Sequence, residues 1–586
     1  METKWIIKPP IDKKLCETFP EHSPLILQLL YNRGLTTQET IDEFFSPDYK
    51  NDIHDPYLLK GMKKAVERIY KAIEKKEKIL IYGDYDADGV TSSVLIIKTL
   101  KFLRAKKVSI YIPDRAKEGY GLNKEAIEQI KKTGVSLIIT VDCGIASWKE
   151  VELANSLGID VIVTDHHWVP DKLPKSLAII NPKQKGDKYP FKNLAGVGVA
   201  FKLSQALLSN QKPKQNSNSA KTSLSFEKWL LDLVAVGTVA DSVPLLGENR
   251  TLLNYGLIVL GKTKNLGLSE LIKKIKASKS ASSGKDQALK IDSDTIGYQI
   301  SPRINAAGRM DHANTSFELL ITESAQEAQG LVASLELLNA GRQSLTEKII
   351  KQIRERIGKN PSEKIIFEGD SAWPVGILGL IAGKLADEYS RPVFIYNKGE
   401  NFSGGSCRSI PSFDVIESLS RSKSLLSEFG GHKSAAGFKV ENKNLEKLKK
   451  EIAKIASREI KNEELIPSIE IDAEIEIKNI DWTFFEKVEK IAPYGEANPE
   501  PAFLLRDMKI TEMRAVGNGE KHLKLSMESS LEKGKKFQAI GFNFGEWSKK
   551  LKLGSLIDIV FILTANHWNG HCNLEFKIID LKTSKK

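Results

Sequence analysis

The stretch Ile79-Leu80-Ile81-Tyr82-Gly83-Asp84-Tyr85-Asp86-Ala87-Asp88-Gly89 sets a short apolar run against three carboxylates spaced two apart and closes on a glycine. At the tip of an extended strand, residues two apart share a side, so Asp84, Asp86 and Asp88 are expected to converge on one point. Three buried anions repel one another unless a cation neutralises them, and oxygen ligands suit hard ions such as Mg2+ or Mn2+. Taken alone, the string fits an Asp-rich surface turn equally well, so the flanking sequence has to decide.

Upstream, Met62 to Lys75 reads as a helix with Ala65, Ile69, Ala72 and Ile73 on one face, feeding the strand that ends at the acidic cluster. Downstream the pattern alternates: a strand from Val108 to Ile112, a helix from Lys124 to Lys132, a strand from Leu137 to Val141, a helix from Trp148 to Leu157 and a strand from Val161 to Thr164. Near-continuous β-branched runs separated by helices indicate a parallel sheet covered on both faces. In such folds the ligand site lies at the carboxyl ends of the strands. Besides the acidic cluster, those ends carry Asp142, in Val141-Asp142-Cys143-Gly144, and Asp165-His166-His167. A single strand-end Asp often caps a helix, and a lone His is usually structural. Carboxylates and two adjacent histidines at successive tips point instead to a metal centre. Asp241, which follows the apolar run Ala235-Val236-Gly237-Thr238-Val239-Ala240, is a further candidate, a capping residue being its alternative.

With 586 residues the chain is too long for one hydrophobic core, and three or four domains are expected. A formal charge of +12 and a pI near 9.1 favour an acidic partner such as nucleic acid, an anionic membrane surface being the other option. Cys16, Cys143, Cys407 and Cys572 form no C-x-x-C pair, which argues against a zinc knuckle or a disulfide framework and for a reduced, intracellular setting. The Met1 end lacks an apolar signal region, and no run approaches the roughly 18 apolar residues that span a bilayer. A cytoplasmic protein that does not enter membrane is expected.

Residues 1 to 70 read as a lead-in with one short capped helix after Ser23. Gln205 to Ser225 and Lys273 to Lys290 have the composition of disordered polar insertions. Ser301-Pro302-Arg303-Ile304-Asn305-Ala306-Ala307-Gly308-Arg309 reads as a Gly/Pro/Asn loop, whose two arginines form either an anion clamp or an exposed pair. A long helix from about Glu323 to Ile357, stopped by Gly358 and Pro361, reads as a spacer between domains. From about 362 to 460 a second α/β unit follows, with a strand from Lys364 to Phe367, a helix from Gly376 to Tyr389 and a strand from Pro392 to Tyr396. Its glycine-rich pieces, 403–409 and 430–438, bring Ser406, Arg408 and His432 as donors to phosphate, structural hairpin turns being the alternative. Period-two alternation after about 465 suggests a small β-barrel. There Tyr494, His522, Phe542, Phe544, His567 and Trp568, interleaved with Lys521, Lys524, Lys535 and Lys536, are candidates for a single-strand stacking surface, although barrel aromatics more often pack inward.

The order GDYDADG (83–89), VDCG (141–144), TDHH (164–167) and GTVAD (237–241), followed by SPRINAAGR (301–309), SGGSCRS (403–409) and GGHKSAAGF (430–438), resembles the DHH phosphoesterase superfamily. Within it, the chain is similar to the RecJ family of single-strand-specific exonucleases. The resemblance implies a DHH parallel-sheet catalytic domain at 71–320, a connecting helix at 321–360, a DHH-associated α/β substrate domain at 361–460 and an OB-like barrel at 461–586, after the lead-in 1–70. It also implies a 5′ to 3′ exonuclease that uses two ions, Mn2+ or Mg2+, to release 5′ mononucleotides from single-stranded DNA in repair and recombination. Carried onto this chain, the ligand set is Asp84, Asp86, Asp88, Asp142, His166 and Asp241, with Asp142 bridging the ions. His167 is either a ligand or a stabiliser of the transition state, and Asp165 orients its neighbours. A preference for one end calls for a separate anchor on the terminal phosphate, and Arg303, Arg309, Ser406, Arg408 and His432 are the candidates, with Arg115 beside them. A monomer acting alongside a single-strand-binding protein and a helicase, away from membrane, completes the expectation. The alternatives are a short-oligonucleotide phosphodiesterase of the same superfamily and a non-catalytic DNA-binding scaffold. Length, positive charge and the barrel favour a polymeric substrate, and the intact ligand set argues against a scaffold.

Overall fold

A computed structural model describes residues 3–210, 218–283, 290–359, 361–529, 535–568 and 571–584. The chain divides into two compact units, one of residues 49–244 and 248–467, the other of residues 1–48, 245–247 and 468–586.

The larger unit is built on a five-stranded parallel sheet, ordered Val108–Tyr111, Ile79–Gly83, Leu137–Val141, Asp160–Thr164, Ala178–Ile180. Ile79–Gly83 and Leu137–Val141 are buried along their whole length, as a sheet covered on both faces requires. After Ile79–Gly83 the chain places its next strand on one side and the following strand on the other. The carboxyl ends of the Ile79 and Leu137 strands therefore flank the point where strand order reverses, the crevice in which open α/β sheets bind ligands. Asp84 and Asp142 follow directly from those ends.

Several expectations for this unit need correction. The three carboxylates of 84–88 do not lie along an extended tip: the strand stops at Gly83, and Asp86 caps the helix Ala87–Phe102, accepting from the backbone N–H groups of Asp88 and Gly89. Asp88 stands in the first helical turn. Residues 301–309 form no loop but the helix Ser301–Met310, which continues a π-helical turn at Thr295–Ile300; Pro302 sits near its start, where a missing N–H costs nothing. Of the polar insertions, residues 205–209 complete the helix Gly196–Ser209, residues 218–225 open the helix Asn218–Trp229, and residues 273–283 close the helix Leu266–Ser283. Residues 211–217 and 284–289 lie outside the described ones.

The helix Ala325–Ile357 is more than a spacer. Its first half packs on the helices Leu266–Ser283, Ser301–Met310 and Asn314–Ile321, and its second half sets Ile349, Ile350 and Ile353 into a core with Ile377, Ile381 and Leu385 of the helix Val375–Tyr389. The second sheet is ordered Leu426–His432, Ala435–Glu441, Phe402–Arg408, Val393–Lys398, Ile366–Asp370. Of its glycine-rich pieces, 403–409 runs along the strand Phe402–Arg408, while 430–438 is a hairpin that turns at Lys433-Ser434 between Leu426–His432 and Ala435–Glu441. Gly405 serves packing in the first: a Cβ there would meet the Phe438 ring at 2.5 Å.

In the smaller unit, Phe503–Val516 pairs with both His522–Ser529 and Leu556–Trp568, and Lys536–Gly541 and His571–Thr583 complete a closed five-stranded barrel. The lead-in is not separate from it. Lys4–Ile7 pairs in parallel with Ser468–Ile471, and Ile26, Leu27, Leu30, Ile41 and Phe44 from two N-terminal helices share the barrel's core.

Candidate active site

Each acidic ligand candidate is delivered by the end of a regular element. Asp84 follows the first strand, Asp142 the third, and His166 and His167 the fourth, while Asp241 caps the carboxyl end of the helix Leu231–Ala240. Asp142 has a left-handed backbone, φ 60°. Gly196 makes room for its carboxylate: a Cβ at 196 would meet Asp142 Oδ1 at 2.5 Å. Asp88 accepts from the backbone N–H groups of Gly196 at 2.6 Å and Val197 at 2.8 Å, at the start of a helix.

These side chains form three overlapping sets able to hold an ion: Asp84, Asp86 and Asp142; Asp88, His166 and Asp241; and Asp142, His166 and His167. Asp142 and His166 each belong to two sets. Buried Asp84 Oδ1, Asp142 Oδ1, Asp241 Oδ2 and His166 Nε2 have no hydrogen-bond partner. His166 Nε2 lies 3.2 Å from Asp142 Oδ1 and 3.4 Å from Asp241 Oδ2. Burial, with His167 beside it, brings His166 down to about 3, so it is neutral at ordinary pH, and the Leu194 backbone hydrogen-bonds to its ring. A neutral imidazole turning a bare lone pair to two carboxylates makes sense only with a cation between them. The carboxylates report the same unmet charge. Burial and mutual repulsion hold Asp84, Asp142 and Asp241 well above the usual range and push Asp88 up to about 7. Hard oxygen and imidazole donors fit Mn2+ or Mg2+.

Asp165 is spent on orientation. One oxygen accepts from the N–H groups of His166 and His167 and from His167 Nδ1 at 2.7 Å; the other accepts from Ile145 N–H. Those contacts outweigh its burial and hold its carboxyl low. The Tyr120 hydroxyl donates to the Asp142 carbonyl and lies 3.0 Å from His167 Nδ1.

Beside this anionic centre stands a cationic one. Burial, with Arg115, Arg342 and Arg408 as repelling neighbours, brings Arg309 down to about 10 against the pull of Asp86. Asp86 thus faces both clusters. Arg115 lies over the Tyr85 ring at 4.7 Å, Arg408 donates to Ser406 Oγ and the Cys407 carbonyl, and Arg309 donates to the Gly376 carbonyl. Gly376 permits that approach, since a Cβ there would meet the Arg309 carbonyl at 2.2 Å. His432 ends the strand Leu426–His432, where burial and the charges of His167 and Lys183 lower it. Arg303 stands apart from its expected role: its guanidinium is tied to Glu336 at 2.7 Å and to Gln299.

Sequence reasoning missed Arg342, mid-helix with its Nε buried and unpartnered, because nothing distinguishes it from a solvated helical arginine. It also missed Lys183, which faces Asp241 and Asp165, and the indole of Trp168, 71% exposed beside His167 with Lys183 Nζ over it at 5.3 Å. Gly196, inside Leu194-Ala195-Gly196-Val197-Gly198-Val199, carried a glycine signal that was not used.

In the barrel, Tyr494 and Phe544 pack toward the core, correcting the expectation that they line a stacking surface. Phe542 remains half exposed, edge-on to His522, beside exposed Lys521. Lys524 and Lys536 face Glu575 and Glu512, and Lys535 donates to the Ile480 carbonyl. The side chains of His567 and Trp568 lie outside the described ones.

Comparison with known proteins matches three family models: the DHH family N-terminal domain at residues 78–238, the DHHA1 domain at 362–458 and the RecJ OB domain at 471–580. The single-stranded-DNA-specific exonuclease RecJ of Bacillus subtilis is 38% identical over 99% of this chain and 71% of its own length. That of Escherichia coli is 32% identical over 87% of each. The structure of Thermus thermophilus RecJ in complex with Mn2+ superposes with a TM-score of 0.82 at 28% identity, covering 100% of this chain and 80% of that one. A structure of exonuclease RecJ bound to manganese is 33% identical and has a TM-score of 0.56, covering 68% of this chain and 95% of that one. With sheet, acidic centre and barrel in this order and relatives of this identity along its length, the chain belongs to the RecJ family of DHH proteins.

Proposed function

We propose that the chain is a single-strand-specific 5′ to 3′ exonuclease that hydrolyses phosphodiesters with two divalent cations, Mn2+ or Mg2+, and releases 5′ mononucleotides from DNA in repair and recombination. One observation carries the reading: a buried centre whose Asp84 Oδ1, Asp142 Oδ1, Asp241 Oδ2 and His166 Nε2 have no hydrogen-bond partner, and so call for cations, adjoins a cluster of mutually repelling arginines that calls for an anion, with Asp86 facing both. A strand end whose scissile phosphate lies at the first and whose terminal phosphate lies at the second satisfies both needs. The relatives' activity and the Mn2+ in the structural neighbours point the same way. The barrel, of RecJ OB type, favours a long strand over a short oligonucleotide.

Asp84, Asp86 and Asp142 are proposed to hold one cation and Asp88, His166 and Asp241 the other, with Asp142 between them. When bound, such a pair supplies a water of lowered pKa and neutralises charge at the attacking and leaving oxygens. Asp165 fixes the ring of His167 through Nδ1, leaving Nε2 for an oxygen of the reacting phosphate or for a cation. Buried Asp142 and its neighbours keep bulk water from competing for the reacting phosphate.

Cation chemistry by itself is indifferent to strand polarity, so the arginines are assigned the choice of end. Arg408 and Arg309, with Arg115 and Arg342, hold the extra charge of a 5′ terminal phosphate, and Ser406 and His432 add neutral donors. The first α/β domain then carries the cations and the DHH-associated domain grips the end, while the barrel adds affinity for the single strand without performing chemistry. Action as a monomer in the cytoplasm, with a helicase supplying strands and a single-strand-binding protein covering them, completes the reading.

Arg408→Ala tests it. Cleavage of 5′-phosphorylated strands is expected to fall about ten- to a hundredfold relative to 5′-hydroxyl strands, the loss of a charge-assisted contact of about 1.5–3 kcal/mol. Equal losses on both substrates would remove Arg408 from the recognition of the end.

A further inference from the structure

We propose that Trp168 and Lys183 form a subsite for the nucleotide on the 3′ side of the scissile phosphate, the indole stacking on its base and the ammonium meeting the phosphate that follows it. The inference rests on the reading of the chain as a 5′ to 3′ exonuclease and adds to it how the strand leaves the acidic centre.

The parallel sheet sets the direction. Its strands run in the order Val108–Tyr111, Ile79–Gly83, Leu137–Val141, Asp160–Thr164, Ala178–Ile180, with all their carboxyl ends on one side. Across those ends the chain places Arg115, Asp84, Asp142, His166 and Lys183 in turn, each shortly after its strand. Arg115 and Lys183 thus follow opposite edge strands, four interstrand spacings or about 19 Å apart. A 5′ phosphate held among the arginines at one edge and a scissile phosphate at the central carboxylates send the rest of the strand toward the other edge. Trp168 directly follows His167, so a nucleotide one step beyond the reacting phosphate meets its ring first.

Buried Asn181 holds the two residues in register. Its amide N–H donates to the His167 carbonyl at 3.0 Å and its side-chain oxygen accepts from Lys183 N–H at 2.8 Å, which ties the end of the edge strand to that of its neighbour. Lys183 Nζ lies 5.3 Å from the centroid of the Trp168 ring, yet the residue is 71% exposed, so packing does not account for an indole there. A scattered apolar residue on a surface is ordinary. An exposed indole beside a lysine at the rim of a phosphate-binding centre is the combination that single-strand sites use. Among the described residues the Lys183 ammonium forms no ion pair and no hydrogen bond. Asp241 and Asp165 only pull on it from a distance, and cations at the acidic centre take up that pull and leave Lys183 to a phosphate. One ring and one ammonium are far less than a protein partner needs, whereas a base and a phosphate match them one to one.

The test uses the full chain with Mn2+ and 5′-phosphorylated oligothymidylates in which one nucleotide at a time, from the first to the fifth, is abasic, read as KM and kcat for release of the first nucleotide. The parent is expected to show a KM about fivefold higher or more when the second nucleotide is abasic. Trp168→Ala is expected to raise KM for the intact strand by a similar factor, to keep kcat within about twofold, and to lose the dependence on the second base, which Trp168→Phe retains. Lys183→Ala is expected to lose, in the same way, the penalty for an uncharged methylphosphonate at the next phosphate. The proposal is overturned if Trp168→Ala leaves KM for the intact strand within about twofold of the parent, if it keeps the penalty at the second nucleotide, or if the penalty it removes belongs to another position. It is equally overturned if Lys183→Ala keeps the methylphosphonate penalty. A parent chain that releases no 5′ nucleotide from the unmodified strand overturns the exonuclease reading itself, and the subsite with it.

Discussion

Asp142 does two jobs that a substitution can separate. Its left-handed backbone is tolerated by Asn as readily as by Asp, whereas Ala at φ 60° adds strain of about 1 kcal/mol. Asp142→Asn is therefore expected to keep the fold, melt no lower than the parent in chelator, and lose cleavage by at least about a thousandfold; calorimetric binding of Mn2+ and a nuclease assay check it. Substantial cleavage by Asp142→Asn in excess Mn2+ would remove the bridging role. Gly196→Ala probes the same carboxylate from behind. The added Cβ falls 2.5 Å from Asp142 Oδ1 and 2.7 Å from its Cγ, so the carboxylate has to move. We expect Mn2+ affinity to drop about 10- to 100-fold, as when a supporting contact of a metal ligand is lost, with little change in strand binding. Unchanged Mn2+ affinity would show that the site relaxes around the methyl group. At this scale the sequence was legible where chemistry concentrates: the acidic and His positions do come together as sets able to hold an ion. Arg342 was not legible, because its meaning comes from a neighbour, Arg309, that tertiary packing supplies.

At the scale of elements, alternation gave four of the first sheet's five strands nearly to the residue, with Leu137–Val141 and Lys124–Lys132 as read and the other bounds shifted by one, whereas the edge strand Ala178–Ile180 is too short for its pattern to stand out. Glycine misled in both directions. In 301–309 Gly308 and Pro302 suggested a loop, yet the segment is helical: Pro302 lies where helices accept it, and Gly308 is small because a Cβ would meet the Tyr85 carbonyl at 2.5 Å. In 402–408 glycines allow close packing within a strand rather than a turn. Reading the segment as a helix also changes what Arg303 is for. Its bond to Glu336 ties Ser301–Met310 to Ala325–Ile357. Arg303→Ala is accordingly expected to cost about 1 kcal/mol of stability and to leave the preference for 5′-phosphorylated over 5′-hydroxyl strands unchanged. A loss of that preference would restore Arg303 to the end-binding group.

At the scale of the whole molecule, the boundary expected at residue 70 fell elsewhere because β-pairing between Lys4–Ile7 and Ser468–Ile471 joins sequence-distant ends, and no local pattern announces such a pair. Removing the barrel alone would strip the apolar faces of the helices Pro24–Tyr31 and Gln38–Phe45. A chain of residues 49–467 is expected to be soluble and to cleave, with weaker, less salt-dependent binding of long strands, whereas residues 1–467 are expected to aggregate. Light scattering and anisotropy distinguish them, and equally tight strand binding by 49–467 would give the barrel another task.

The acidic centre also sets how stability depends on pH. Asp84, Asp88, Asp142 and Asp241 are raised in the folded chain, Asp88 to about 7, so between about pH 4 and 7 the folded chain binds more protons than the unfolded one. His166, brought down to about 3, opposes this between about pH 3 and 6.5, but one imidazole is outnumbered by four raised carboxylates, so without metal stability falls as pH rises through that window; Asp165, held low, acts with His166 only below about pH 4. A cation keeps the carboxylates ionised, so the rise in Tm given by Mn2+ is expected to grow over the same window. A rise that is flat with pH would contradict the assignment of these ligands. The most direct test of the account is to strip the chain of metal, titrate in Mn2+, and follow a 3′-labelled, 5′-phosphorylated DNA strand offered single or as a blunt duplex. The account predicts no cleavage before the cation is added, then stepwise loss of mononucleotides from the 5′ end of the single strand with the duplex intact. Cleavage without metal, first cuts inside the strand or at its 3′ end, or equal attack on the duplex would contradict it.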